Sequence, residues 1–485
     1  MRGKIAMVRS AALLGFHGAL VEVETDIKAG LPGLQIVGMG NKAIDEARQR
    51  VRSAVTNSLL EFPAQKITVN LAPAELPKDG THLDVPIALS ILVASGQLKP
   101  AEVKDALFAG ELALDGSLRP VRGAVLLAEQ AVAAGAKQLF LPPQNVAQAQ
   151  LVPGIEVIGV SNLQELYRAL KGVARAEASP TPEGLAPPGD TGSPAQSPST
   201  PETPLFNSIV GLEKAKRALA IAAAGRHNIL LSGPPGTGKS LLAKSLRELL
   251  PPLSPTEIVE VTKLHSLTAA STPVVHTTPP FRAPHHSATL TALIGGGLRP
   301  QPGDLSLAHK GILFLDELPE YPRASLEALR QPLEERTISL SRLYGHITYP
   351  ADILLVATMN PCPCGYLGDS HTPCTCSGME IARYQKKISG PLLDRIDLRL
   401  TIHKEKQEHF FDSQTLINNQ QITLLANINC ARKAQAFRYK RSDVYNAYAT
   451  FEDVRKLFNV TPEAKNLLTQ AAKKMNLSSR STLRI

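Results

Sequence analysis

The run Gly233, Pro234, Pro235, Gly236, Thr237, Gly238, Lys239, Ser240 has the spacing of a phosphate-binding loop. Its glycines let consecutive backbone N–H groups turn inward on a polyphosphate. The N-terminus of the helix that follows adds a favourable dipole. Lys239 supplies a point charge for the β- and γ-phosphates, and the Ser240 hydroxyl is a Mg²⁺ ligand. The flanks agree. Asn228-Ile-Leu-Leu-Ser232 reads as a buried strand running in, and Leu241 opens the helical Leu-Leu-Ala-Lys-Ser-Leu running out. A chance glycine loop would carry neither flank.

Hydrolysis requires an acidic strand beside that loop. Gly311-Ile-Leu-Phe-Leu-Asp-Glu317 is an apolar run ending in two carboxylates. Asp316 is placed to hold Mg²⁺ through its hydration shell, and Glu317 to act as the general base on water. The bland reading is an acidic pair in a solvated turn, and the phosphate loop upstream weighs against it. Asp352-Ile-Leu-Leu-Val-Ala-Thr-Met-Asn360 is a third apolar strand with an amide at its end. Asn360 can orient the attacking water, or serve as a turn residue before Pro361. In Ser389-Gly-Pro-Leu-Leu-Asp-Arg-Ile-Asp397, Arg395 can reach a neighbouring subunit's γ-phosphate as an arginine finger. It can equally pair with Asp394 or Asp397 in its own chain.

Cys362-Pro-Cys364 and Cys374-Thr-Cys376 place four thiols within fifteen residues. That set can close a tetrahedral Zn²⁺ site, although CxC departs from the commoner CxxC knuckle; four reduced loop thiols are the alternative. Cys430 stands apart and reads as core.

These groups need elements to hold them, and the chain supplies two blocks. Residues 173–204 are Pro-, Gly-, Ser- and Thr-rich with a single Lys/Arg and almost no large apolar side chain. They cannot bury a core and are expected to form a disordered linker. Residues 1–172 mix strand patterns (Ala19 to Glu24, Lys66 to Leu71) with helical ones (Ala43 to Leu59, Pro86 to Ala94, Ala124 to Ala134). Residues 205–400 alternate strands and helices as a parallel-sheet nucleotide-binding domain does. Residues 401–485 read mainly as helix.

The net charge is +9, and 19 Lys/Arg against 9 Asp/Glu from Arg383 to Ile485 account for the whole excess. A nucleic-acid partner is one reading of that surplus; a solvated helical surface is the other. With no Trp and few aromatics, stacking platforms for single-stranded bases are sparse. No signal-peptide core follows Met1, and no apolar run of about 18 residues occurs. The expectation is a cytoplasmic protein with no membrane partner, its cysteines reduced unless metal-bound.

Together the motifs resemble the ComM/YifB family of magnesium chelatase-like AAA+ proteins. The match is carried by Gly33-Leu-Gln-Ile-Val-Gly38, Ile67-Thr-Val-Asn-Leu-Ala-Pro-Ala74, Phe281-Arg-Ala-Pro-His-His286, Ile294-Gly-Gly-Gly297, Asn360-Pro-Cys-Pro-Cys-Gly365 and Ile388-Ser-Gly-Pro-Leu-Leu-Asp-Arg-Ile-Asp397. It covers nearly all of the chain except the linker, which is longer and richer in proline than the family pattern. The resemblance implies an α/β multidomain chain: a Lon-protease-like α+β N-terminal domain, an AAA+ P-loop core with a parallel sheet, and a helical C-terminal lid. It implies ATP and Mg²⁺ as cofactors and a homohexameric ring related to the MCM helicase branch. The implied partner is DNA, single-stranded or branched, moved by a branch-migration motor during natural transformation. A metal-insertion or remodelling chaperone like the magnesium chelatase motor subunit is the alternative, and an ATP-binding scaffold a third.

The same resemblance puts Arg395 on the arginine-finger position, Arg480 on the sensor 2 position, and Ile209, Val210 and Gly211 beside the adenine. Arg282, His285 and His286 then belong to a loop inserted in a helix facing the ring's pore. Residues 335–349 read as a hairpin with Gly345 at its turn and Arg342 near its tip, where it could touch phosphates. Subunit packing is the other reading of both insertions. His285 and His286 read as a hydrogen-bonded loop pair rather than a metal site. The Lon catalytic pattern is broken in this chain. After Lys78-Asp79-Gly80 comes Thr81, then His82 at the nucleophile position, and Val125 takes the base position. Without nucleophile and amine there is no covalent route, so a non-proteolytic domain is expected. The family pattern continues as a helix where the chain stops at Ile485, so the C-terminal part is expected to be naturally short or truncated.

Overall fold

The computed structural model describes residues 5–38, 42–78, 80–173, 205–268, 273–297, 300–342, 345–369, 372–403, 417–475 and 482. The expected linker falls outside them but for Val173.

The N-terminal part is built on a seven-stranded sheet. Its strand order is Gly33–Val37, Lys66–Ala72, His17–Lys28, Ala6–Leu14, Ala106–Phe108, Gln138–Leu141, Glu156–Gly159. The first pairings are mixed: Ala6–Leu14 and Lys66–Ala72 both run antiparallel to His17–Lys28. From Ala6–Leu14 outward to Glu156–Gly159 every pairing is parallel. Alternation makes Lys66–Ala72 a strand: Ile67, Val69 and Leu71 are buried and the residues between them are not. Helix Asp84–Ala94 is apolar all round and packs with helix Lys42–Asn57 on one face. Helix Ala124–Ala133 covers the other. The expected elements are present, with longer strands (17–28, not 19–24) and a helix that starts at Asp84. The first strand, Ala6–Leu14, had no sequence signal strong enough to be read.

The second sheet has five strands, all parallel, in the order Phe281–Arg282, Ile312–Leu315, Leu354–Met359, Ile229–Ser232, Leu398–Thr401. Ile312–Leu315 is buried at every position, as a parallel strand covered on both faces must be. Between helix Pro255–Ser266 and strand Ile312–Leu315 come the short helix Leu290–Ile294 and a two-strand turn pairing Gly295–Gly296 with Gln301–Pro302. Strands Thr337–Arg342 and Gly345–Pro350 form the expected hairpin, with Gly345 opposite Arg342 at its closed end.

The two sheets are joined by side chains. Leu126 of helix Ala124–Ala133 belongs to the core around Leu264 and Leu315. Lys263 donates to Glu129 at 2.7 Å and lies over the Phe16 ring at 4.2 Å. Ile347 of the hairpin sits on Gly15, where its Cγ2 leaves no room for a Cβ. Beyond Thr401 the described elements are helical: Ile417–Tyr439, Phe451–Leu457 and Pro462–Met475. The first packs on helix Glu213–Gly225 through Arg432 and Gln435, which donate to the Ala223 and Ala224 carbonyls. Among the described residues no helix is long and apolar enough to cross a membrane.

At the starting ends of the core strands lies a buried charge cluster that the sequence reading did not anticipate. Asp352 accepts from Lys310 Nζ at 2.9 Å and from the Tyr448 hydroxyl. Arg226 donates to the Asp352 and Lys310 carbonyls. The Arg336 guanidinium, just before the hairpin, covers the Tyr448 ring at 3.3 Å.

Candidate functional site

At the other ends of those strands the expected ATP-site residues converge. Gly236 and Gly238 take φ values of +77° and +80°, which glycine adopts without the Cβ penalty. Helix Lys239–Ser245 follows directly. Lys239 Nζ donates to the carbonyls of Gly233 at 2.7 Å and Pro234 at 2.8 Å, and to Asn360 Oδ1 at 3.3 Å. Burial holds its ammonium below the ordinary lysine value, against the pull of Asp316 and Glu317. Ser240 Oγ donates to Asp316 Oδ2 at 3.1 Å. The loop, the acidic strand and Asn360 therefore meet within hydrogen-bond reach.

Thr358 is a site residue that sequence reading missed. Its hydroxyl donates to Asp316, and it accepts from the Glu317 backbone N–H at 3.1 Å. Its one available signal is polarity: it is a hydroxyl inside an otherwise apolar strand, two residues before Asn360. Glu317 itself is left-handed, φ 52° and ψ 51°. A non-glycine residue held there stores backbone strain of order 1–3 kcal/mol, as functional sites often do. The fold turns the chain sharply after Asp316, and no hydrogen bond to the Glu317 carboxylate is found among the described residues.

The segment expected at the adenine lies beside the loop. Ile209 is buried, Val210 partly so, and Gly211 has φ +68°. The next residue, Leu212, has its Cδ1 3.9 Å from where a Cβ on Gly238 would stand. Pro235 and Leu241 are in place on the loop and its helix.

Arg395 is bound within its own chain, though not to the acids expected. Its guanidinium pairs with Glu334, and one of its terminal nitrogens donates to the Pro391 carbonyl at 2.8 Å. Asp397 instead meets His227 at 3.0 Å, and Asp394 lies 3.9 Å from Arg399. Position explains the difference. Arg395 precedes strand Leu398–Thr401, whose Leu398 pairs with Ile229 and Thr401 with Ser232. It thus sits at the opposite end of the sheet from its own phosphate loop.

Arg282 is engaged by Asp304, its Nε donating at 2.8 Å. The expected loop pair forms: His285 Nδ1 and Ser287 Oγ are 2.7 Å apart, the His285 and His286 rings 4.0 Å apart. Arg480 and the side chain of Arg342 lie outside the described residues. In the N-terminal domain, His82 is buried with Nε2 2.8 Å from the Ala11 carbonyl, and Val125 is fully buried.

The four cysteines close on one another. Cys362 Sγ is 3.4 Å from Cys364 and 3.6 Å from Cys374, and Cys364 is 3.6 Å from Cys374. All four sulfurs lie within 4.8 Å of each other; among the described residues this is the one group of three or more His, Cys, Asp or Glu side chains so placed. Cys430 is exposed, contrary to the core reading.

A parallel sheet in this order, with a phosphate loop, an acidic strand and an Asn-tipped strand at one edge, defines a P-loop ATPase of the AAA+ class. Residues 205–410 match the family model described as magnesium chelatase, subunit ChlI; residues 420–485 match its C-terminal counterpart, and residues 23–145 match a model of subunit ChlI of Mg-chelatase. The chain is 40% identical over 483 residues to YifB of Escherichia coli (strain K12), covering 99% of this chain and 91% of that one. It is 39% identical over 482 residues to the competence protein ComM of Haemophilus influenzae, covering 99% and 92%. A fainter similarity, 24% over 196 residues, reaches a Lon protease of Trichlorobacter lovleyi. The chain belongs to the ComM/YifB family. Membership implies use of ATP and Mg²⁺.

Proposed function

We propose that this protein is an ATP-dependent DNA motor, a helicase or branch-migration translocase acting as a homohexamer in recombination during natural transformation. The observation that carries the ATPase half is the meeting of Lys239, Ser240, Asp316 and Asn360 around one strand edge, beside a Glu317 whose carboxylate is left for a ligand. Lys239 binds the terminal phosphates. Ser240 and Asp316 would hold Mg²⁺, which would neutralise phosphate charge. Glu317 takes the proton of the attacking water, and Asn360 orients that water.

Arg395 supports a ring. It stands at the far end of the sheet from its own ATP site, so only a neighbouring subunit's phosphates come within its reach. Release from Glu334 would then accompany assembly. Arg480 is assigned the sensor 2 role and Ile209 to Gly211 the adenine contact. The bound ligands are ATP, Mg²⁺ and, at the four cysteines, a structural Zn²⁺. The N-terminal domain is Lon-like and non-proteolytic, and the C-terminal helices form the lid.

DNA is supported by the relative named for competence and by the basic C-terminal region. Of the candidate contacts, Arg282 reaches a phosphate only by leaving Asp304. The magnesium chelatase-type reading also has its observation: all three family models carry that description. Residues 23–145 match one of them, so the N-terminal domain does not argue against it. The test is the ATPase rate with and without four-way or forked DNA. Stimulation by the branched substrate is expected; neither binding nor stimulation would transfer the case to protein remodelling.

A further inference from the structure

We infer that Cys362, Cys364, Cys374 and Cys376 form a Zn²⁺ site that fixes Asn360 against the phosphate loop, so that ATP turnover, but not ATP binding, requires the metal. This rests on the ATPase half of the reading above and not on DNA.

The sulfur geometry is that of a coordination shell. Four thiolates at ~2.3 Å from one Zn²⁺ stand at tetrahedral edges of roughly 3.8 Å. The three edges among Cys362, Cys364 and Cys374, at 3.4, 3.6 and 3.6 Å, lie close to this, and Cys376 Sγ is within 4.8 Å of the other three sulfurs. A disulfide would need a sulfur separation of about 2.05 Å. The Cys364 amide also donates to Cys376 Sγ at 3.4 Å, the kind of backbone support that a thiolate receives.

Apolar burial gives the segment little support. Between strand Leu354–Met359 and helix Gly378–Gln385 its described residues form only turns, and Cys362 is the one hydrophobic side chain there that is buried. So short a segment lacks the apolar area to order itself, which is where proteins use a metal.

What the site would hold in place is the catalytic edge. Gly365, with φ +87°, packs so closely that an added Cβ would lie 2.9 Å from Pro235 Cδ and 3.8 Å from Asn360 Cγ. On the exit side, Gln385 Nε2 donates to the Pro361 carbonyl at 3.1 Å, and the Asn360 backbone N–H meets the Tyr384 hydroxyl. The helix leads on to Ser389 and Arg395. One metal therefore braces the sensing amide, through the segment that packs Gly365 against Asn360. Lys239 and Ser240 are held mainly by their own loop and by Asp316, the bond from Lys239 to Asn360 being the longest of the three that Lys239 makes.

The experiment uses the full chain purified without chelators. Elemental analysis should find about one zinc per chain, and exchange with Co²⁺ should give the visible bands of a tetrahedral thiolate site. Cys374→Ser should lose the metal and about 100-fold in turnover, the cost of moving a catalytic group by about 1 Å, while nucleotide affinity stays within about threefold of wild type. Gly365→Ala should keep the metal and lose turnover. Iron or no metal in the wild type overturns the site. A metal-free variant that still hydrolyses ATP, or one that also loses nucleotide binding, overturns the coupling alone. Zinc-bound wild type that never hydrolyses ATP overturns the coupling together with the ATPase reading.

Discussion

The two ends of the five-stranded sheet are both polar, and they are built in opposite ways. At the starting ends, charges answer one another: Arg226 and Lys310 on Asp352, Tyr448 on the same carboxylate, Arg336 over Tyr448. Burial works to raise Asp352, and Arg226 and Lys310 overcome it, holding its carboxyl well below the usual range. At the finishing ends, Glu317 carries a strained backbone and a carboxylate with no hydrogen bond among the described residues. The first end spends its charges on holding the fold together; the second leaves the Glu317 carboxylate for a ligand. A charge is best read by what already satisfies it, and the same test makes Arg282, paired with Asp304, a weak DNA candidate.

Three experiments break or sharpen that contrast, in descending size. Glu317→Gln should reduce turnover by about 10²–10⁴-fold, the span of a lost general base, with an unchanged thermal midpoint; ATP should be bound and kept. Retained hydrolysis would remove the base from the mechanism. Asp352→Ala should do the reverse, costing about 3–5 kcal/mol by stranding buried Arg226, read by urea unfolding. An unchanged midpoint would mean that the network is ornamental. The smallest effect is a pH response. Burial first, then His276, pushes His265 down to about 4 from 6.5. The folded state keeps it neutral, so its contribution is complete above pH 6.5 and is lost as pH falls toward 4. The loss is on the order of 3 kcal/mol. Asp352 stays ionised throughout that window, so His265→Gln should flatten the decline between pH 6.5 and 4 and leave the strand-start network intact.

What could be read from the sequence followed contiguity. The phosphate loop, Asp316, Glu317 and Asn360 each sit in an unbroken motif with its own flanking strand, and the structure brings them together. Thr358 was hidden because a threonine in a strand is also what β-propensity favours. For Arg395 the sequence offers, beside the arginine-finger role, only its neighbours Asp394 and Asp397 as partners, whereas Glu334 reaches it through tertiary packing. The two-residue strand Phe281–Arg282 is too short to leave a periodicity, and its place at the sheet edge comes from pairing with Ile312 and Leu313. The charge network around Asp352 draws on five distant segments, none with a pattern of its own.

The hairpin Thr337–Pro350 is not a free-standing appendage. Tyr448 clasps the residues at either end of it, Arg336 and Asp352, and Ile347 rests on Gly15 from the opposite terminus of the chain. It is therefore not a portable part. A chimera that borrowed this hairpin from a homologue would have to import the matching turn at Gly15 and the matching aromatic at Tyr448 with it, three pieces from three corners of the gene.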